Sequence, residues 1–396
     1  MSTATPAVSP PPAGRATPAS LPPSRLHSLD AMRGFDMFWI IGGAELVRAI
    51  VSLLAVHFKY PAAIDLVELH TEHPEWNGYT AWDQIFPMFM FIAGVAMPYS
   101  LTARIERGDS KLQLYRRVIW RGLLLVLLGA IYNGLLRLDF AEARYPSVLG
   151  RIGLGYMFAG LIVLNTKPRG QLLWVIGILL GYYAAMKWIP VPEYGAGDWE
   201  KGHTLGDYLD RMLIPGKLYR GVRDPEGLFS TIPSIATVLS GALAGNWLRN
   251  GLASGHQKAL GLVLAGFGCL FAGVIWSGWL VFDEGWIGWF PINKNLWTSS
   301  FVLFTSGWSL MVLAFFYWVI DVWGFKRWAF FFVVIGVNAI TVYLVREFVD
   351  WDGLGAVVFG RAMGNVHPEL VKGGRELALE WLMLYILYRQ RIFLRV

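Results

Sequence analysis

Apolar residues in this chain come in long unbroken runs rather than in strict alternation or in stripes along one helix face. From Gly34 onward, mostly apolar segments of about 18–25 residues recur, each long enough to cross a hydrocarbon core of about 30 Å. They fall near residues 34–56, 79–102, 116–136, 147–165, 171–190, 228–248, 259–281, 297–320, 328–348 and 376–394. The pattern predicts an all-α fold, a polytopic transmembrane helix bundle of about ten spans. GLGAVVFG at 353–360 is too short to span and reads as a re-entrant or interfacial piece. Residues 1–24 are rich in Pro, Ala and Ser, lack the apolar stretch of a signal peptide, and read as a disordered tail. Residues 25–396 then form a single membrane domain with one long outer segment near 190–227.

The charges between the runs alternate in sign. Around the turn after the second run lie Arg104, Arg107, Lys111, Arg116, Arg117 and Arg121, whereas the turn after the first holds Lys59 against Asp65, Glu68, Glu72 and Glu75. Basic short loops mark the cytoplasmic side. Lys167, Arg169, Arg249, Lys258, Lys326 and Arg327 fall on that same side, and Arg389, Arg391 and Arg395 end the chain there. Ten spans with both termini in the cytoplasm satisfy every loop at once.

Composition agrees with the pattern: 55% of the 396 residues are hydrophobic and 16% are charged, against roughly 25% charged in soluble domains. A soluble enzyme is excluded. The net charge of +6, which in a soluble chain would suggest nucleic acid, here becomes an orientation signal, and the partner it implies is a lipid bilayer. Cys269 is the sole cysteine, so intrachain disulfides and cysteine-held metals are excluded.

Ionisable groups within spans are functional candidates, because the membrane makes them expensive. In the first span Arg33 and Asp36, and again Glu45 and Arg48, stand three apart and can pair on one helical face; local ion pairs near the span ends explain them as well as a site does. The most informative stretch is HTEHPEWNGYTAWDQIFPMFMFIAGVAMPYS, residues 70–100. A polar outer loop with His73, Trp76 and Asn77 runs into a span whose start carries Asp83 and then Phe86-Pro87. Pro87 is tolerated near a helix start or kinks it. His73 has the proton affinity that transfer at neutral pH requires, and Asp83 is placed to orient its ring. His70, His73 and Glu72 or Glu75 are the candidate metal ligands, but no zinc spacing is present and Pro74 interrupts the segment, so no metal is expected. Arg151, near the outer end of the fourth span, suits an anionic group or snorkels to the interface. Asn293, Lys294 and Asn295 lie just outside a span and Asn338 lies within one; such groups either glue helices or line a site. Gly241 and Gly245 read as packing devices only. No Walker motif or nucleophile elbow is visible, so ATP-driven transport and serine hydrolysis lack support.

RLHSLDAMRGFDMFW, HPEWNGYTAWDQIFPMFMFIAGVAM, YPSVLGRIGLGY, FPINKNLWTSSFVL and IGVNAITVY together resemble the heparan-alpha-glucosaminide N-acetyltransferase family and its bacterial membrane relatives. The resemblance implies a multi-pass inner-membrane acyltransferase moving an acetyl group from cytoplasmic acetyl-CoA to an amino sugar or envelope glycan across the membrane, with no tightly bound cofactor. It implies a catalytic role for His73, the histidine before WNG, and matches Asp83 and Arg151 to family motifs. Trp76, Asn77, Arg151, Asn293, Lys294, Asn295, Asn338 and Glu45 are the expected acceptor-side residues, and Arg33, Arg117 and Arg121 are the bases available to the phosphates of coenzyme A. A homodimer is compatible with this reading. The rivals are a sugar or small-metabolite transporter, whose mark would be an inverted repeat that the halves do not display, and a membrane scaffold that has lost activity.

Overall fold

The computed structural model describes residues 26–219, 221–278, 290–359 and 368–394. Among them the fold is helical, with no strand and only isolated bridges pairing Arg144 with Gly216 and Val191 with Gly195. The tail expected at 1–24 lies outside the described residues.

The first predicted span begins earlier than expected and is bent. Helix α1 (His27–Phe38) passes through a π turn at Trp39–Gly43 into α2 (Ala44–Phe58), and Gly42 takes the left-handed conformation (φ +108°) that a side chain would resist. Helix α3 (Ala62–Thr71) leads into a loop and a 3₁₀ turn at Ala81–Gln84, then α4 (Ile85–Ile105), α5 (Lys111–Tyr132), α6 (Val148–Asn165) and α7 (Pro168–Trp188). The outer segment holds α8 (Leu205–Leu213), and α9 (Leu228–Leu248), α10 (Gly255–Ser277), α11 (Ser299–Phe316, extended by a π turn at Tyr317–Val322), α12 (Phe330–Gly336), α13 (Ala339–Phe348), α14 (Trp351–Phe359) and α15 (Pro368–Arg389) complete the order. Residues 353–360, read as too short to span, fall largely in the nine-residue α14.

Seven of these helices are long and apolar enough to cross a membrane. An eighth is counted if α12 and α13 form one span broken by a 67° bend. Two predicted spans, α5 and α15, are helical but more charged: Lys111, Arg116, Arg117 and Arg121 interrupt the first, and Lys372, Arg375, Glu376 and Glu380 the second.

Helices α4 and α9 form the centre of the bundle, with 67% of the apolar stretch of each buried, whereas only 22% of α10 is covered and the rest is free to face lipid. Glycines set that central crossing. A methyl group on Gly94 would collide with the Val238 carbonyl, and one on Gly241 with the Phe91 carbonyl. Gly245 meets the Val95 backbone in the same way. Small residues are what allow helix backbones to meet closely where lipid supplies no hydrophobic drive.

At the end of the bundle where α4, α6, α9 and α11 begin, the outer segment is anchored by α8. Thr204 caps α8 by accepting from the Asp207 N–H at 3.2 Å. Buried Asp210 reaches the start of α9, where its Oδ1 accepts from the N–H groups of Leu228 (2.9 Å) and Phe229 (3.4 Å). A carboxylate there satisfies orphan donors and complements the helix dipole.

Two outcomes follow from this packing. Gly241→Ala introduces an overpacked contact expected to cost about 1–3 kcal/mol, readable as a lower melting temperature of the detergent-solubilised protein; an unchanged midpoint would contradict the crossing described here. Burial pushes the Asp210 carboxyl up to about 6 from an ordinary 3.8, against the pull of the Phe229 and Leu228 N–H groups. A raised carboxyl binds its proton more tightly in the folded chain, so its contribution to stability is complete at the low end of that window and is lost as pH rises through it. Asp210→Asn should therefore flatten the decline in melting temperature between those two pH values, and an equally steep decline would show that another group causes it.

Candidate active site

The local sequence explains how the site is held. Residues 72–80 leave α3 without helical bonds, and Thr80 closes the segment on itself, its hydroxyl donating to the Glu72 carbonyl at 2.6 Å. The Thr80 N–H donates to Asp83 Oδ2 at 3.3 Å, so Asp83 caps the 3₁₀ turn that starts the helix. Pro87 falls in the first turn of α4, where a missing N–H is tolerated, and the 3₁₀ turn runs on as one helix to Ile105. The Gln84 amide locks this start to α11 by donating to the Thr305 carbonyl (3.0 Å) and the Ser309 hydroxyl (2.9 Å).

Asp83 is fully buried, and its other oxygen is the centre of the site. Oδ1 lies 2.6 Å from His73 Nδ1 and 3.4 Å from Lys294 Nζ. An ionised carboxylate can only accept, so the close contact assigns the proton to Nδ1 and leaves a lone pair on Nε2. Lys294 Nζ lies against the ring, 3.1 Å from that Nε2 and 3.3 Å from Nδ1. Burial lowers the Lys294 ammonium below the ordinary lysine range, opposed by the charges of Asp83 and Glu226.

Lys294 reaches His73, 221 positions away, because two loops are joined. The Gly78 N–H donates to the Ile292 carbonyl at 2.8 Å, and the Asn293 amide donates to the Trp76 carbonyl and to Asn77 Oδ1, each at 3.0 Å. The Leu296 N–H returns to Asn293 Oδ1 at 3.0 Å. Asn293 is fully buried, and its amide is spent on this junction.

His73 and Lys294 stand with Glu226 at the polar edge of a cavity of about 280 Å³. Its other walls are apolar: Met37 and Ile40 from the first helix, Phe86 and Phe89 from α4, Leu149 and Ile152 from α6, and Ile340 and Tyr343 from α13. Two predicted bases lie about one helical turn from residues that line it. Arg33 is one turn before Met37 on α1 and pairs with Asp30 at 3.2 Å. Tyr156 is one turn after Ile152 on α6 and carries Arg121, whose guanidinium lies 4.6 Å from the ring centre. Arg117 follows one turn along α5 and is exposed.

The remaining predicted residues divide. Arg151 is buried behind the cavity wall, bonded to the Gly227 carbonyl (3.4 Å) and the Ser230 hydroxyl, with its guanidinium 4.8 Å from the Trp297 ring. Trp76 is also buried; its N–H donates to the Trp199 carbonyl at 2.7 Å, and Arg223 covers its ring at 4.7 Å. Arg223 holds Asn295 Oδ1 at 3.1 Å. Asn338 stands at the α12–α13 break, where its side chain bonds Ile392 and Leu394. Glu45 lies 3.7 Å from Arg48 and lines a second cavity, of about 300 Å³, with Glu68, Lys372 and Glu376. Asn338 and Glu45 are thus not brought to the His73 cavity.

Sequence reasoning missed Glu226. It belongs to an ion cluster in which Arg144 grips both oxygens of buried Asp224 at 2.7 Å and also bonds Glu226. The signal was present as the acidic pair in DPE, residues 224–226, but a long outer segment carries charges for many reasons. The apolar cavity walls had no signal of their own, since they read as core.

No family model matches the chain. Two curated proteins are similar to it: the heparan-alpha-glucosaminide N-acetyltransferase of Homo sapiens, 29% identical over an alignment of 432 residues, and that of Mus musculus, 28% identical over 436. Each alignment takes in 96% of this chain but only 61% and 63% of the respective relatives, so the chain spans less than two thirds of their length. The resemblance carried by the WNG loop, the DQIFP start of α4 and the INKNLW block thus extends over nearly the whole chain, to proteins that bear the name heparan-alpha-glucosaminide N-acetyltransferase.

Proposed function

We propose that the protein is a membrane-embedded N-acetyltransferase that moves an acetyl group from cytoplasmic acetyl-CoA to the amine of an amino sugar or glycan on the far side of the membrane. The observation that carries this reading is the Asp83–His73 pair, 2.6 Å apart, at the polar edge of an apolar cavity. The relatives' name supplies the reaction class and an amino-sugar acceptor. Acetyl transfer needs an unprotonated amine. His73, holding its proton on Nδ1 toward Asp83, offers Nε2 to take one from the acceptor nitrogen as that nitrogen attacks the thioester carbonyl. Collapse of the tetrahedral adduct breaks the carbon–sulfur bond, and the proton taken up by Nε2 passes to the departing thiolate. Lys294, beside Nε2, adds positive charge where the oxyanion develops.

In this reading the apolar walls take the acetylated arm of the donor, and Arg33, Arg117 and Arg121 meet its phosphates, since the first and last of these lie one turn beyond the cavity on α1 and against α6. That direction agrees with the basic loops, which mark the same end of the bundle as cytoplasmic. We accordingly assign ten spans in an inner membrane, counting the charged α5 and α15, with both termini in the cytoplasm and the His73 cavity reached by the acceptor from outside.

The test is transfer from isotopically labelled acetyl-CoA to glucosamine by the purified protein in detergent. The wild-type chain should yield free coenzyme A and N-acetylglucosamine in equal amounts. His73→Ala should lower kcat by about 100-fold or more, and Asp83→Asn should do likewise by releasing the ring from its tautomer, with melting temperatures measured beside the rates to exclude unfolding. Undiminished transfer by folded His73→Ala would refute the assignment.

A further inference from the structure

A primary amine stands beside the free nitrogen of His73. Lys294 Nζ lies 3.1 Å from Nε2, lines the same cavity, and has a side chain only 19% exposed. Any acceptor amine that His73 deprotonates must put its nitrogen at hydrogen-bonding distance from Nε2, and Lys294 Nζ already stands within that distance, against the ring at 3.1 Å from Nε2 and 3.3 Å from Nδ1. Burial shifts Lys294 toward its neutral form, with Arg151 adding to that shift while Asp83 and Glu226 oppose it.

We propose that Lys294 is an acetylation site within the chain itself: when acyl donor is bound and no acceptor is present, the Lys294 amine takes the acetyl group. This inference rests on the acyl-transfer reading above. In the reaction, Nζ attacks the thioester carbonyl, a carbon–nitrogen bond forms, and the carbon–sulfur bond breaks. His73 carries the proton lost by nitrogen to the departing sulfur, leaving coenzyme A as a thiol and Lys294 as an amide. An amide is no acyl donor at neutral pH, so the product is a dead end. It removes the positive charge facing Asp83 and fills the acceptor position with a carbonyl and a methyl group. The chain thereby acquires a self-limiting state, in which donor without acceptor silences the site and acceptor, by consuming the thioester first, protects it.

The experiment incubates the full-length protein in detergent with ¹³C-labelled acetyl-CoA, with and without glucosamine, and follows the label by whole-chain mass and peptide mapping. Lys217, whose side chain is 63% exposed, reports simple chemical acetylation. The expected result is one acetyl per chain, on Lys294, accumulating at least about tenfold faster than on Lys217, slowed by glucosamine, lost from the whole-chain mass in Lys294→Arg, and reduced to the Lys217 rate in His73→Ala and Asp83→Asn. A preparation that acetylates glucosamine yet labels Lys294 no faster than Lys217 overturns this inference and leaves the acyl-transfer reading standing. Labelling of Lys294 that persists in both His73→Ala and Asp83→Asn overturns it as well. A preparation that does neither reaction overturns both, and His73-dependent labelling without transfer to glucosamine supports the inference while rejecting that sugar as acceptor.

Discussion

One carboxylate organises the end of this bundle. Asp83 has no access to solvent, so each of its oxygens must be satisfied by a group that folding supplies. One oxygen closes the start of the helix through the Thr80 N–H, and the other takes His73 and Lys294. The helix start and the site are therefore one structure. A residue that merely caps a helix contributes about 1 kcal/mol, whereas leaving a buried ion without its partners costs about 3–5 kcal/mol. Asp83 thereby ties two distant loops together, holding His73 at 2.6 Å and Lys294 at 3.4 Å, with the His73 ring itself half exposed.

The membrane imposes the rest. Backbone groups in lipid must be satisfied within helices, and Gly94, Gly241 and Gly245 let α4 and α9 cross at close range. Irregular backbone collects at the bundle end, where the 72–80 loop, the outer segment and the 290–298 loop bond one another through Asn293, Arg223 and Trp76. Asn293, Asn295 and Trp76, outside the cavity, serve this junction. Arg151 extends the same logic inward: it ties α6 to the start of α9 through Gly227 and Ser230, and the start of α9 is in turn capped by Asp210 from α8.

Much of the architecture was legible in the sequence, because the period and length of apolar runs are set by the bilayer. What escaped was local. The run 328–348 reads as one span, yet the chain breaks after Gly336 with Asn338 filling the gap, a bend no apolar pattern announces. The first span hides its π turn in Trp39–Gly43 for the same reason, Gly42 being its only trace. Within the site, the Asp83–His73 pair was readable because only ten positions, a short loop and the start of a 3₁₀ turn, separate them. Lys294 was readable as a polar residue beside a span but not as a neighbour of His73, since the contact depends on the Asn293 junction. Trp76 read as an acceptor-side residue, and only the fold reveals that Arg223 already covers its ring. Phe86, Phe89 and Ile152 could not be distinguished from core, because a cavity is lined by the same residue types that fill one.

The claim on which the account turns is that Asp83 fixes the His73 ring with its proton on Nδ1 and its lone pair on Nε2. Nitrogen-15 spectra of the histidine-labelled protein in lipid, with the His73 resonances assigned by their loss in His73→Gln, report that directly. The neutral ring should show a protonated Nδ1 and an unprotonated Nε2. A ring protonated on Nε2 instead would contradict it, since the nitrogen turned away from Asp83 would then have no lone pair with which to take a proton.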